Sequence, residues 1–208
     1  MKKTGFIAFL LLLCIVISSF TSCKKSEQDA DTPKAEKMNI SALSDTELES
    51  YVTLGEYKGL SIELGGRQKD VAVWEEIAAR AEVKSIPEQQ VNYYFGQSRA
   101  QYEYYAEQAD MSYSEMLTEL GTTEEKMMLD ARGLALGDIL FELVRRAEGI
   151  ELSDSEKQEH FERYATKYVE DYGYTADYVR ENLTEQIYDS MLYDKITEFL
   201  ISNNEIIH

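Results

Sequence analysis

One stretch constrains this chain more than any other: Thr122 to Gly149, TTEEKMMLDARGLALGDILFELVRRAEG. Thr122 and Glu125, three residues apart, form a capping-box pattern in which each side chain satisfies a free amide of the first helical turn. Gly149 stands where a left-handed residue ends a helix, and Arg145 and Arg146 oppose the negative end of the helix dipole. Between Leu134 and Val144 the only polar residues are Asp138 and Glu142. They are four apart, so they share one narrow strip and leave the rest of the circumference apolar. Such a helix must be covered by neighbours on most sides. Gly133 and Gly137 are also four apart, and each costs roughly 1 kcal/mol relative to alanine inside a helix. A closely packed neighbour is a reason to keep them. The stretch reads as a frame, without chemistry of its own.

The beginning of the chain has a different character. Lys2 and Lys3 precede an unbroken apolar run from Phe6 to Ile17, too short to span a bilayer and suited to the core of a signal peptide. Phe20-Thr21-Ser22-Cys23 follows, and small residues running into a cysteine at that place resemble the lipobox of bacterial lipoproteins. The resemblance implies cleavage before Cys23, lipid on Cys23, and a protein held at the extracytoplasmic face of the cell membrane. Cys14 and Cys23 are the only cysteines. Loss of Cys14 with the signal leaves no thiol pair for a disulfide or metal site.

Removing Lys2 and Lys3 deepens the net charge from −18 to −20. That sign disfavours nucleic acid and anionic membrane surfaces as partners. Residues 24–39, KKSEQDADTPKAEKMN, carry almost no large apolar side chains and are expected to form a disordered tether. The expected organisation is therefore a signal over 1–22, a tether over 23–43 and a domain over 44–208.

That domain reads as mainly helical, with a short β segment at its N-terminal side. Over residues 51–64, Val52 and Leu54, then Leu60, Ile62 and Leu64, alternate with polar residues, punctuated by Gly55 and Gly59. A short hairpin or a pair of extended segments is expected there. Beyond Gly66 the period is helical. Expected helices are residues 71–82, Pro87 to about Ala109 after a Ser85 cap, Ser112 to Leu120, Thr122 to Gly149, Ser153 to Gly173, and a single one from Thr175 to Leu200. In the second of these, Val91, Tyr94 with Phe95, Ser98, Tyr102, Tyr105 and Ala109 share the inward stripe. The loops are short, so successive helices should pack antiparallel or nearly so.

No recognised catalytic motif is present. His160 and His208 are the only histidines, and the acidic pairs lie near helix starts or on outward faces, where dipole compensation explains them. Acid–base catalysis needs environments that split two pKa values, so no enzymatic activity, cofactor or metal is expected. Fifteen tyrosines and seven methionines are the unusual feature. Both residue types suit a surface that accommodates varied apolar chains. Tyr93, Tyr104, Met128, Tyr188 and Tyr193 fall off the buried stripes or at their flanks, and are the candidate contact residues.

Several motifs resemble bacterial trigger factor. VTLGEYKGLSIE at 52–63 is similar to the strand leading into that family's prolyl-isomerase region. IPEQQV at 86–91, S-x-x-E-M-L at 112–117, GTTEE at 121–125, LALGDIL at 134–140, AEGIELSDSE at 147–156 and DKITEFLISN at 194–203 follow the order of its C-terminal domain. The resemblance implies a helical body with two arms enclosing a cradle for unfolded polypeptides, a module related to that of SurA-type chaperones. Two parts of the family are missing from the pattern. A signal and tether replace the ribosome-docking domain, and residues 64–85 are too few for an isomerase domain. The expectation is a lipid-anchored chaperone for unfolded or newly secreted chains. The alternative is a lipoprotein adapter that binds one folded partner.

Overall fold

A computed structural model describes residues 35–208. Cys23 and the signal lie outside the described residues. Eight α-helices and four short strands follow a 3-10 turn at Ile40–Ala42. In order they are α1 (Asp45–Tyr51), β1 (Val52–Thr53), β2 (Ser61–Glu63), α2 (Lys69–Arg80), β3 (Glu82–Val83), α3 (Glu88–Gln108) and α4 (Tyr113–Glu119). Then come α5 (Glu124–Glu148), α6 (Asp154–Tyr172), α7 (Ala176–Asn182), α8 (Thr184–Ser202) and β4 (Glu205–Ile207).

Two helices organise the whole. The C-terminal half of α5 places Ile139, Leu140 and Val144 in a central apolar cluster with Trp74 and Ile77 of α2 and Ile196 and Leu200 of α8. Its N-terminal half places Ala131, Leu134 and Ala135 in a second cluster with Val91 and Tyr94 of α3. α8 divides in the same way. Ile196 and Leu200 belong to the central cluster, whereas Ile187 and Met191 join Tyr164, Ala165, Tyr168, Val179 and Leu183 in a third. The molecule is thus a body with two helical arms, each arm built on the forward extension of one body helix. Arm 1 is α3, α4 and the first half of α5. Arm 2 is α6, α7 and the first half of α8. α3 lies along α5 in the most extensive helix pairing among the described residues.

Capping chemistry places most helix starts. Ser44 with Glu47, Ser112 with Glu115 and Ser153 with Glu156 form reciprocal capping boxes, and Thr175 accepts from the Tyr178 amide. Each such cap stabilises its helix by about 1 kcal/mol. Two expected caps are displaced. At α5 the cap is Thr123, which accepts from the Lys126 amide, because the Thr122 amide is already bonded to Leu117 O in closing α4. Gly121, at φ 62°, makes that closing turn. Ser85 does not cap α3, since its amide bonds to Tyr51 O, and Pro87 starts the helix without a side-chain cap.

The helix expected from Thr175 to Leu200 is kinked at Leu183 (φ −119°, ψ 14°). Asn182 and Thr184 turn their side chains back onto the carbonyls of Tyr178 and Arg180. Such back-bonding bends helices. Backbone bonds from Leu183 to Val179 and from Ile187 to Leu183 carry the chain through the bend.

The β segment is not a hairpin. β1 pairs antiparallel with β3, while β2 pairs in parallel with the C-terminal β4, Ile62 opposite Ile206. β1 and β2 each bury one residue in the body, Val52 and Ile62. The connection between them lacks a two-residue turn and is claimed by Asn204 instead. That side chain accepts from the Leu60 amide (2.8 Å) and donates to Tyr57 O (3.0 Å) and Leu200 O (2.7 Å). Asn204→Ala removes the partner of the Leu60 amide and of Tyr57 O at the seam, while Leu200 O keeps the Asn203 amide, and is expected to cost about 2 kcal/mol in a urea melt.

Part of the stretch expected as a tether is packed. Ile40 is buried in the body and Met38 packs against it.

Candidate functional site

On the strip carrying Asp138 and Glu142, Asp138 is half-buried and Glu142 is buried. Glu142 is 4% exposed and is clamped by Arg145 and Arg146, whose hydrogen bonds hold its carboxyl below the usual range against the cost of burial. Arg146 also reaches Asp45 (2.7 Å), tying α5 to α1.

Asp138 sits where arm 1 leaves the body. Its Oδ2 accepts from Tyr94 Oη (2.6 Å) and from Gln90 Nε2 of α3. Gln90 is fully buried, and its Oε1 accepts from the Met38 amide (2.9 Å). Burial pushes the Asp138 carboxyl up, opposed by Lys37, Tyr94 and Gln90. Asp189 of α8, exposed along one edge, is also pushed up, first by lost hydration, opposed by Lys37 and assisted by Glu185 and Asp138. Gln90 thereby joins α3, α5 and the segment before the first turn.

The five contact residues expected from sequence are distributed over both arms and the body. Tyr93 is half-buried, edge-on to Tyr94 with ring centroids 5.3 Å apart. Met128 is half-buried against the arm 1 cluster. Tyr104 is 37% exposed beside Tyr105. Tyr188 on arm 2 meets Phe161 edge-on at 5.9 Å, with the Lys157 ammonium 5.1 Å above its ring. Tyr193 belongs to the body, where its ring stacks on Trp74 (6.0 Å) and Phe141 (6.1 Å).

Tyr105 corrects the inward stripe of α3. It is exposed, and Ala106 takes the buried position, because a small side chain lets α4 close against the helix end. Leu120 and Leu129, 51% and 52% exposed, are functional candidates that the sequence pattern does not single out. With Tyr104 and Tyr105 they put four large apolar side chains on the part of arm 1 remote from the body. The available signal is local: Leu120 immediately precedes the glycine that ends α4, where no inward stripe continues.

Arm 2 carries a chain of rings, Tyr168, Tyr172, Tyr174 and Tyr178, with successive centroids 5.6, 6.3 and 5.1 Å apart. At its base Tyr164 Oη donates to Asp194 (2.6 Å). Burial, with Asp194 adding, pushes this hydroxyl up to about 12. Tyr57 and Tyr113 are likewise pushed up to about 12, first by burial. The folded protein therefore keeps protons that the unfolded chain gives up near pH 10. This stabilisation is complete below about pH 10 and is lost as pH rises toward about 12. Urea midpoints should fall across that window, and Tyr164→Phe should reduce the slope.

Among the described residues no cluster of three or more His, Cys, Asp or Glu is placed to hold a metal ion, and no helix is long and apolar enough to cross a membrane.

The family model of the bacterial trigger factor protein C-terminus matches residues 66–202. The chain belongs to that family. A search of curated proteins and one of solved structures found no match.

Proposed function

We propose that this protein is a non-enzymatic chaperone that binds unfolded or newly secreted polypeptides and is held by lipid on Cys23 at the extracytoplasmic face of the cell membrane. The supporting observation is the exposure of Tyr104, Tyr105, Leu120 and Leu129 on one arm of a trigger factor C-terminal fold. Each large apolar side chain covered by a client contributes roughly 1.5–3 kcal/mol. Ordering each side chain returns about 0.5–1.5 kcal/mol of that. Several contacts together reach the micromolar range, about −8 kcal/mol, which holds a client and still releases it. Tyr93, Met128 and Tyr188 supply the half-buried margins of the contact surface. The acidic balance of the chain favours basic clients.

The test is light scattering of a denatured client diluted into the soluble chain from Lys24 onward. Suppression at a few-fold molar excess is expected. The variant with Tyr104, Tyr105, Leu120 and Leu129 all changed to serine should need at least five-fold more protein for the same effect, with an unchanged thermal melt. Equal potency of the two proteins would remove arm 1 from the proposal. Retention of one stoichiometric folded partner, with no suppression of aggregation, would point to an adapter. Membrane release of a Cys23→Ala chain in cells tests the anchor.

A further inference from the structure

Residues 36–41 are held more specifically than a packed chain end requires. Three side chains bind their backbone. Gln89 Nε2 donates to Glu36 O (3.2 Å), Gln90 Oε1 accepts from the Met38 amide (2.9 Å), and Arg146 Nη2 donates to Ser41 O (3.0 Å). Backbone groups are common to all polypeptides, so contacts of this kind bind a chain whatever its sequence. The binding amide is prepared for the task. Gln90 is fully buried, and its other end is fixed by Asp138, which also holds Tyr94. Selectivity comes from two adjacent residues. The Lys37 ammonium acts on both Asp138 and Asp189, while Met38 lies against the apolar body. Glu36, Lys37 and Asn39 remain exposed, whereas Ile40 is anchored in the core. Residues 36–39 can therefore lift away without opening the body.

We infer that residues 36–39 are an internal ligand in a peptide-binding site where arm 1 leaves the body, and that a client segment with a basic residue followed by a large apolar one displaces them. The inference rests on the polypeptide-binding function proposed above. A tethered occupant competes at an effective concentration on the order of millimolar. A short free peptide loses that competition. A long unfolded chain with further contacts along arm 1 wins it, so the strap screens out weak ligands.

The test uses the chain from Lys24 onward, which retains every described residue, and a fluorescein-labelled peptide of residues 35–41 (AEKMNIS). Fluorescence anisotropy should show at least ten-fold tighter peptide binding to the Lys37→Glu/Met38→Ser chain than to the wild type. Adding Asp189→Lys to that chain should reverse most of the gain. A second measurement needs no variant: saturating client should speed hydrogen exchange of the Met38 amide at least ten-fold in the wild type. Unchanged peptide affinity in a folded double variant, or unchanged exchange at Met38, overturns the inference. If the wild type still suppresses aggregation in the same buffer, only the strap is rejected. If it does not, the chaperone proposal falls with it.

Discussion

Gly55→Ala will lower stability by about 2 kcal/mol, an overpacking cost, and the melting temperature by roughly 4–8 °C. A Cβ placed at Gly55 stands 2.3 Å from Arg80 O and 2.9 Å from Arg80 C. The obstacle is backbone, so no rotamer change relieves it. It is also backbone under constraint, because the Ala81 amide closes α2 on Ile77 O and β3 begins at Glu82. The loop between β1 and β2 passes the end of α2 so closely that only glycine fits. Gly96 is the control. It lies inside α3, where an added Cβ meets nothing within 4 Å, and Gly96→Ala should raise stability by about 1 kcal/mol through helix propensity alone. Urea midpoints measured on both variants should move in opposite directions. A Gly55→Ala midpoint equal to the wild type would mean that the loop does not press on the end of α2.

Trp74→Ala should be the more damaging change, at about 4 kcal/mol. The indole is 8% exposed and lies between Phe141 (6.3 Å) and Tyr193 (6.0 Å). Its Nε1 donates to Thr197 Oγ1 (3.0 Å). Truncation empties the centre of the body and leaves a buried hydroxyl without its donor. Trp74→Phe retains a ring and loses the hydrogen bond, at a cost of about 1–2 kcal/mol. Circular dichroism in urea separates the two. Trp74 is the only tryptophan, so in the wild type its fluorescence follows the body alone. The arms have their own apolar clusters, and a difference between fluorescence and dichroism midpoints would show that they unfold separately.

Helix positions are legible in the sequence because caps and apolar stripes are local. Ser44, Ser112, Ser153 and Thr175 each declare a start within four residues. The displaced caps come from competition between neighbours. The Thr122 amide is taken by Leu117 O, and the Ser85 amide by Tyr51 O. The strand partners are not legible, since β2 finds β4 across most of the chain and the sequence near Ile62 does not indicate the distant Ile206. The exposed apolar set of arm 1 is legible in part. Tyr104 is accessible to sequence reasoning because it leaves the stripe. Tyr105 and Tyr193 are not, because a half-turn of helix and a stack on Trp74 decide where those rings go. The junction at Gln90 escapes such reasoning altogether. A glutamine beside Val91 gives no periodic signal that both ends of its amide will be used.

The parallel pairing of β2 with β4 has a consequence for biosynthesis. The body takes material from both ends of the domain, whereas each arm is contributed by one continuous stretch. During synthesis, arm 1 and then arm 2 can acquire structure while the scaffold that joins them is still incomplete. Assembly of the centre waits for Glu205–Ile207 to arrive. Until that moment both arms stand on an unfinished base.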